Sequence, residues 1–91
     1  MASRRCVVLD AADDVAVLLE AAERGDRIAA DGREVLLLEA IPRFHKVALR
    51  RIETGEVVHK TGEVIGVAIR AIEPGEHVHV HNLRSTVAPS T

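Results

Sequence analysis

Five histidines stand in this 91-residue chain, and three of them fall in His77-Val-His-Val-His81, followed by Asn82. Read as a strand, the run turns its three imidazoles to one face and Val78 and Val80 to the other, toward a core. Neighbouring imidazole-bearing residues are then about 7 Å apart along the backbone and the outer pair about 13 Å apart. His77 with His79, or His79 with His81, can chelate one metal ion if ligands from elsewhere complete the site, whereas all three cannot easily share it. The alternative is a solvated edge strand whose neutral histidines take up metal adventitiously. His45-Lys46 and His59-Lys60 each set a lysine beside a histidine in turn-rich sequence. Two ammonium groups near a metal-capable strand suit an anionic substrate such as a sugar acid, and surface lysines kept for solubility are the other reading. His59 occupies the place of His79 in an internal repeat, so it either brings a fourth imidazole to the site or reflects repeat usage alone.

Other chemistries lack their residues. The chain has no GxSxG, P-loop, CxxC or GxGxxG pattern, which leaves nucleophilic hydrolysis, phosphoryl transfer, zinc-ribbon and dinucleotide readings without support. A cupin-type HxH site fails as well, because Gly75 lies too close to His77 and no acid follows Asn82.

The elements that must position these residues are announced by the repeat. Ala48–His59 lies over Ala68–His79 at a shift of twenty positions, with eight of twelve residues identical, and a fainter copy keeps Glu23, Gly25 and Asp26. Each unit reads as a strand, a single tight helical turn (Arg51–Thr54 in the first), a glycine in the left-handed region, then a new strand. Gly62 marks a turn between two strands, and Gly66 a bulge or a close backbone approach. Val35–Glu39 reads as a short buried strand ended by Ile41-Pro42. Ala12–Gly25 is open between a helix and a strand followed by a helical turn near Glu20–Arg24. The expected organisation is an N-terminal strand or arm over 1–12, one domain over 13–83 and a flexible tail over 84–91.

Composition narrows the class. Hydrophobic residues make up 47% of the chain but only Phe44 is aromatic, so a core must come from 13 Val, 6 Ile, 8 Leu and 13 Ala, a largely β-branched set that favours strands. A formal charge of −2 and the lack of aromatic platforms argue against nucleic acid. The lone Cys6 cannot form an internal disulfide, the N-terminal apolar run is broken at Asp10, and no run approaches a membrane span of about 20 residues. The expectation is a cytoplasmic protein with no membrane and no nucleic-acid partner.

Pro42-Arg-Phe-His-Lys-Val-Ala-Leu-Arg-Arg-Ile-Glu-Thr-Gly-Glu56, Lys60-Thr-Gly-Glu-Val-Ile-Gly66 and Ile72-Glu-Pro-Gly-Glu-His-Val-His-Val-His-Asn-Leu83 together resemble the SAF domain of the altronate and galactarate dehydratases, a module that also exists as the free small subunit of sulfolactate sulfo-lyase. The resemblance implies a mainly β, β-clip (SAF-like) fold with short helical turns. It implies the small subunit or N-terminal module of a metal-dependent lyase that dehydrates sugar acids or eliminates sulfite, working with a large dehydratase or lyase subunit. The cofactor it implies is a divalent metal, iron(II) or manganese(II). Carried over by position, His77, His79 and His81 are metal ligands, His45 and Lys60 catalytic residues, and Lys46 and Asn82 substrate-binding residues. A base takes the proton α to the carboxylate and the β-leaving group departs with acid assistance; no residue of this chain stands out as that base. Phe44 replaces a glycine that usually precedes His-Lys, and a ring there is expected to narrow the pocket; Thr61 replaces an aromatic. The competing class is a non-catalytic SAF-like carbohydrate-binding or assembly module, and a homo-oligomer is a further arrangement.

Overall fold

The alternating aliphatic segments of the sequence form ten short strands, which the computed structural model describes over residues 2–86: β1 (Ser3–Arg4), β2 (Cys6–Val7), β3 (Val15–Leu18), β4 (Arg27–Ala30), β5 (Arg33–Leu36), β6 (Lys46–Ala48), β7 (Val57–Lys60), β8 (Glu63–Ala68), β9 (His77–Val78) and β10 (Leu83–Ser85). The fold is mainly β, as expected, and no helix occurs among the described residues. Glu20–Arg24 is therefore not helical: β3 supplies the strand alternative, and Ala12–Gly25 ends in a turn.

The expected helical turns are replaced by β-turns with a carboxylate cap. In each, the fourth residue's N–H returns to the first residue's carbonyl: Asp26 to Glu23, Glu56 to Glu53 and Glu76 to Glu73, at 3.0, 3.0 and 3.1 Å. The fourth residue's own carboxylate accepts the first residue's N–H at 2.9, 2.7 and 3.0 Å, respectively. Both ends of the turn are satisfied within four residues, so continuing into a helix gains nothing. A fourth copy closes at His45 N–H to the Pro42 carbonyl, with Phe44 at φ 68° in the place the other copies give to glycine. Bridges pair the copies, Ala22 with Ile41 and Ile52 with Ile72.

A larger duplication contains these turns, since a shift of thirty positions carries Gly25 and Gly32 onto Gly55 and Gly62. Each half has a hairpin, β4–β5 or β7–β8, joined by two residues of positive φ, Asp31-Gly32 or Thr61-Gly62, whose twist matches that of the flanking strands. Gly66 is a close-approach position, because a Cβ there would lie 2.5 Å from the Arg84 carbonyl oxygen.

Between the hairpins runs an antiparallel sheet in the order β2-β3-β6-β9. Its registers, Ala16 opposite Val47 opposite His77 and Val15 opposite Ala48, with Lys46 opposite Val78, sort the side chains onto two faces. Ala16, Leu18 and Val47 join Ile28, Ala30 and Val35 of the first hairpin in one buried cluster. Val15, Ala48 and Val78 join Val58 and Ala68 of the second in another. Two small aliphatic cores thus flank one sheet in a molecule measuring 40 × 25 × 23 Å. The N-terminal segment is part of this body, with β1 parallel to β4 and β2 on the edge of β3. At the other end β10 pairs with β8, so ordered structure runs past the expected boundary at Leu83; residues 87–91 of the expected tail lie outside the described residues.

Candidate functional site

The histidine run does not stay extended. Strand β9 stops at Val78, and His79-Val80-His81-Asn82 folds into a turn in which the His79 carbonyl accepts the N–H groups of Asn82 (3.1 Å) and Leu83 (2.9 Å). Asn82 holds that turn. Its side chain is fully buried, its Oδ1 accepts the His79 N–H at 3.0 Å and its Nδ2 donates to the His77 carbonyl at 2.8 Å. The amide expected to contact substrate is thus committed to backbone, and Asn82 is a positioning residue. Val80, expected in the core, is instead 76% exposed at the tip of the turn, while Val78 is buried as expected.

Turning the chain gathers the imidazoles. The His77 and His79 rings stack with centroids 5.2 Å apart, and the His81 ring lies 5.7 Å from that of His77. His45, placed from the resemblance among catalytic residues, enters the same cluster, with its ring 5.0 Å from His77 and 4.9 Å from His79. The ladder carries it there: the Leu18 N–H donates to the His45 carbonyl and the Phe44 N–H to the Leu18 carbonyl. Its Nδ1 lies 2.8 Å from His77 Nε2. The potential ligand atoms of His45, His77 and His79 all fall within 4.8 Å of one another, a grouping that does not include His81.

These donors fit a divalent ion. Two nitrogens bound to one metal at about 2.1 Å are separated by about 3–3.4 Å, somewhat more than the 2.8 Å His45–His77 hydrogen bond, which ligation would replace, and imidazole suits iron, zinc and copper. Ligation needs the neutral ring. Burial first, and then the neighbouring His45 and His79, hold His77 below the ordinary histidine value, with Glu39 acting in the opposite sense. The Glu39 carboxylate also accepts the His77 N–H at 3.1 Å.

His59 does not join the cluster among the described residues. Asp14, almost fully buried, accepts from the His59 backbone N–H at 2.8 Å and lies 3.0 Å from its Nδ1, while Arg50 Nε donates to the other carboxylate oxygen at 2.7 Å. Burial pushes Asp14 up, but these donors outweigh it and hold the carboxyl below its ordinary value. His59 therefore brings no fourth imidazole to this group and is tied to Asp14 instead.

Beside the imidazoles lies a pocket of ≈ 400 Å³, lined by Lys46, Lys60, Ile65, His79, Val80, Leu83 and Ser85. Both lysines singled out in the sequence face it, half-buried, and His79 belongs both to the pocket and to the imidazole group. Burial, and then the charge of Lys60, lower the Lys46 ammonium below the ordinary lysine value. Phe44 is not among the lining residues: it is 61% exposed, with the Arg43 guanidinium 4.3 Å from its ring centroid, so it does not narrow this pocket. Sequence reasoning missed that His45 belongs with the imidazoles. The signal was the fourth turn unit, Ile41-Pro-Arg-Phe-His-Lys-Val47, which matches Ile72–Val78 at its Ile and Val but has Phe-His for Gly-Glu.

Comparison with known proteins finds relatives of this chain. Residues 4–86 match the family described as altronate/galactarate dehydratase SAF domain. The chain is 38% identical over 82 residues to altronate dehydratase of Escherichia coli and 36% identical over 76 residues to that of Bacillus subtilis, matches that take in 90% and 84% of this chain. It spans only 17% and 15% of those two proteins. It is also 40% identical over 86 residues to (2R)-sulfolactate sulfo-lyase subunit alpha of Chromohalobacter salexigens, covering 87% of this chain and 92% of that subunit. On the match over residues 4–86 and the similarity to these proteins, the chain belongs to the altronate/galactarate dehydratase SAF domain family.

Proposed function

We propose that this chain is the small module of a cytoplasmic, metal-dependent lyase acting on hydroxy acids, paired with a larger subunit that contributes the rest of the active site. The observation that carries the reading is the convergence of His45, His77 and His79 at the edge of a pocket containing two lysines. The names of the relatives support the reaction class, since a dehydratase and a sulfo-lyase both remove a group β to a carboxylate. The name of one relative, a sulfo-lyase subunit alpha of which the match covers 92%, supports the two-subunit arrangement.

When bound, a divalent ion supplies Lewis acidity to the substrate's carboxylate and hydroxyl oxygens. Iron(II) or manganese(II) is proposed. His45, His77 and His79 hold it, and Asn82 and Glu39 fix the backbone on which His77 and His79 ride. As a ligand His45 gives up the acid role assigned from the resemblance. Lys46 and Lys60 supply positive charge in the pocket, and the base that removes the α proton belongs to the partner. His81 stands beside the cluster without completing it.

The test is reconstitution. Co-expression with a large lyase subunit of the same family should give metal-dependent elimination from a sugar acid or sulfolactate. His79→Ala in this chain should lower both metal content and turnover at least tenfold. Unchanged metal content and turnover in His79→Ala would favour a non-catalytic binding or assembly module.

A further inference from the structure

The one aromatic residue of the chain, Phe44, is left 61% exposed, with the Arg43 guanidinium 4.3 Å from its ring centroid. Its backbone is unusual as well. Phe44 stands at φ 68° in the turn position that Gly25, Gly55 and Gly75 hold in the other copies, and a bulky side chain in the left-handed region is strained where glycine is not. A side chain at this turn position can project into open space, since a Cβ added to Gly55 meets nothing within 4 Å. Phe44 therefore strains the backbone without filling a core, a combination that collects at binding and catalytic positions.

Its place in the chain says what it adjoins. Phe44 immediately precedes His45, whose ring lies 4.9 Å from that of His79, and Val80, 76% exposed, immediately follows His79. Two exposed apolar residues thus bracket the imidazole group. Arg43 is exposed and has no carboxylate partner among the described residues, whereas Arg4, Arg5, Arg27, Arg50 and Arg51 are all paired. The group itself is unfinished: a divalent ion takes about four to six ligands, three imidazoles gather here with His79 exposed, and no further His, Cys, Asp or Glu joins them among the described residues.

We propose that Phe44 and Val80 anchor the docking surface for the larger subunit, which closes over the imidazoles with an apolar socket for the Phe44 ring and a carboxylate beside Arg43. This rests on the two-subunit reading given above. The remaining ligands and the base must arrive on whatever covers His79, and an exposed aromatic with an adjoining guanidinium matches the residue types enriched where protein surfaces meet. Stacking holds the Arg43–Phe44 pair in place before contact, so less side-chain freedom is lost on docking. A second copy of this chain suits the surface poorly, because a two-fold contact brings a second set of Arg43, Lys46 and Lys60 to the first.

The experiment titrates the large lyase subunit of the same organism into the full chain by calorimetry with manganese(II) present. Phe44→Gly and Phe44→Asn both suit a left-handed turn residue and both remove the ring, so each should weaken the complex at least about tenfold, which is about 1.4 kcal/mol. Arg43→Glu should weaken it as well, and Leu9→Ser, at an exposed apolar residue that adjoins none of the three imidazoles in sequence, should leave it nearly unchanged. Circular dichroism and manganese(II) binding of each isolated variant should match the parent. A Phe44→Gly or Phe44→Asn complex as tight as the parent's, an equal loss in Leu9→Ser, no saturable complex with the parent, or parent self-association that Phe44→Gly abolishes would overturn the proposal. Failure of the lyase reading looks different: a Phe44-dependent complex forms but eliminates nothing from a sugar acid or sulfolactate. An active complex indifferent to Phe44 would refute the docking surface alone.

Discussion

Gly55 and Gly75 occupy equivalent turns, share φ 89° and precede glutamates that cap their turns in the same way. Their surroundings differ: a Cβ added to Gly55 meets nothing within 4 Å, whereas one added to Gly75 overlaps the Leu36 carbonyl oxygen. Gly55→Ala therefore bears only the left-handed strain of about 1–2 kcal/mol, partly offset by about 0.4–1 kcal/mol from a less flexible unfolded chain. The expected loss is about 1 kcal/mol, or about 4–8 °C in Tm for a domain of this size. Gly75→Ala adds a backbone clash that only separation of the two halves can relieve. That movement strains the Leu38 N–H bond to the Gly75 carbonyl at 3.0 Å and the Gly75 N–H bond to the Ala48 carbonyl at 2.9 Å. At about 1–3 kcal/mol for each buried group left unsatisfied, the total loss should be about 3 kcal/mol or more, a large share of the roughly 5–15 kcal/mol available to a small domain. The assay is urea and thermal unfolding followed by far-ultraviolet circular dichroism, because the chain has no Trp or Tyr to report by fluorescence. Losses equal within about 0.5 kcal/mol, the usual scatter of independent sites, would refute the account of how Gly75 joins the two halves.

Asn82→Ala removes an acceptor for the His79 N–H and a donor to the His77 carbonyl; it should cost about 2–4 kcal/mol in urea unfolding and weaken metal binding, a result that a substrate-contacting Asn82 would not give. Asp26 is held at about 2 by the Glu23 N–H, the Arg4 guanidinium and the Ala2 N–H. Because its pKa is lowered on folding, its stabilisation is fully present above the ordinary value of 3.8 and is lost as pH falls through about 2. Asp26→Asn should flatten that acid limb of the urea midpoint, and an unchanged acid limb would show that Asp26 does not contribute. Phe44→Gly should relieve about 1–2 kcal/mol of left-handed strain, less the greater freedom of an unfolded glycine, giving an unfolding midpoint equal to or above that of the parent; a large loss would mean that the exposed ring packs on something.

The strand–turn rhythm was legible because the turn residues repeat: Glu-x-Gly-acid at Glu23, Glu53 and Glu73 supplies both the left-handed residue and the carboxylate that caps the first N–H. The single helical turn expected in each unit is instead a β-turn, because the acid that follows the glycine accepts the first residue's N–H within four residues. The histidine run was read as extended because alternation of His and Val is a strand pattern. What stops it is tertiary: Asn82 enters the core and caps His79 by the same four-residue device that the acids use elsewhere. The resemblance marks His45 as a site residue, but its place beside His77 is not legible, because its turn has Phe44 in place of glycine and so hides the fourth copy. Lys46 and Lys60 were read together from their histidine neighbours. That both face one pocket follows from the pairing registers of β6 and β7, which no local pattern encodes.

The central claim is that His45, His77 and His79 hold one divalent ion, and calorimetric titration of the full chain with manganese(II), repeated on single alanine variants, tests it most directly. One ion per chain is expected, with binding weakened at least tenfold in His45→Ala, His77→Ala and His79→Ala and nearly unchanged in His59→Ala and His81→Ala. Absence of binding to the parent chain, or equal weakening by His45→Ala and His81→Ala, would contradict it.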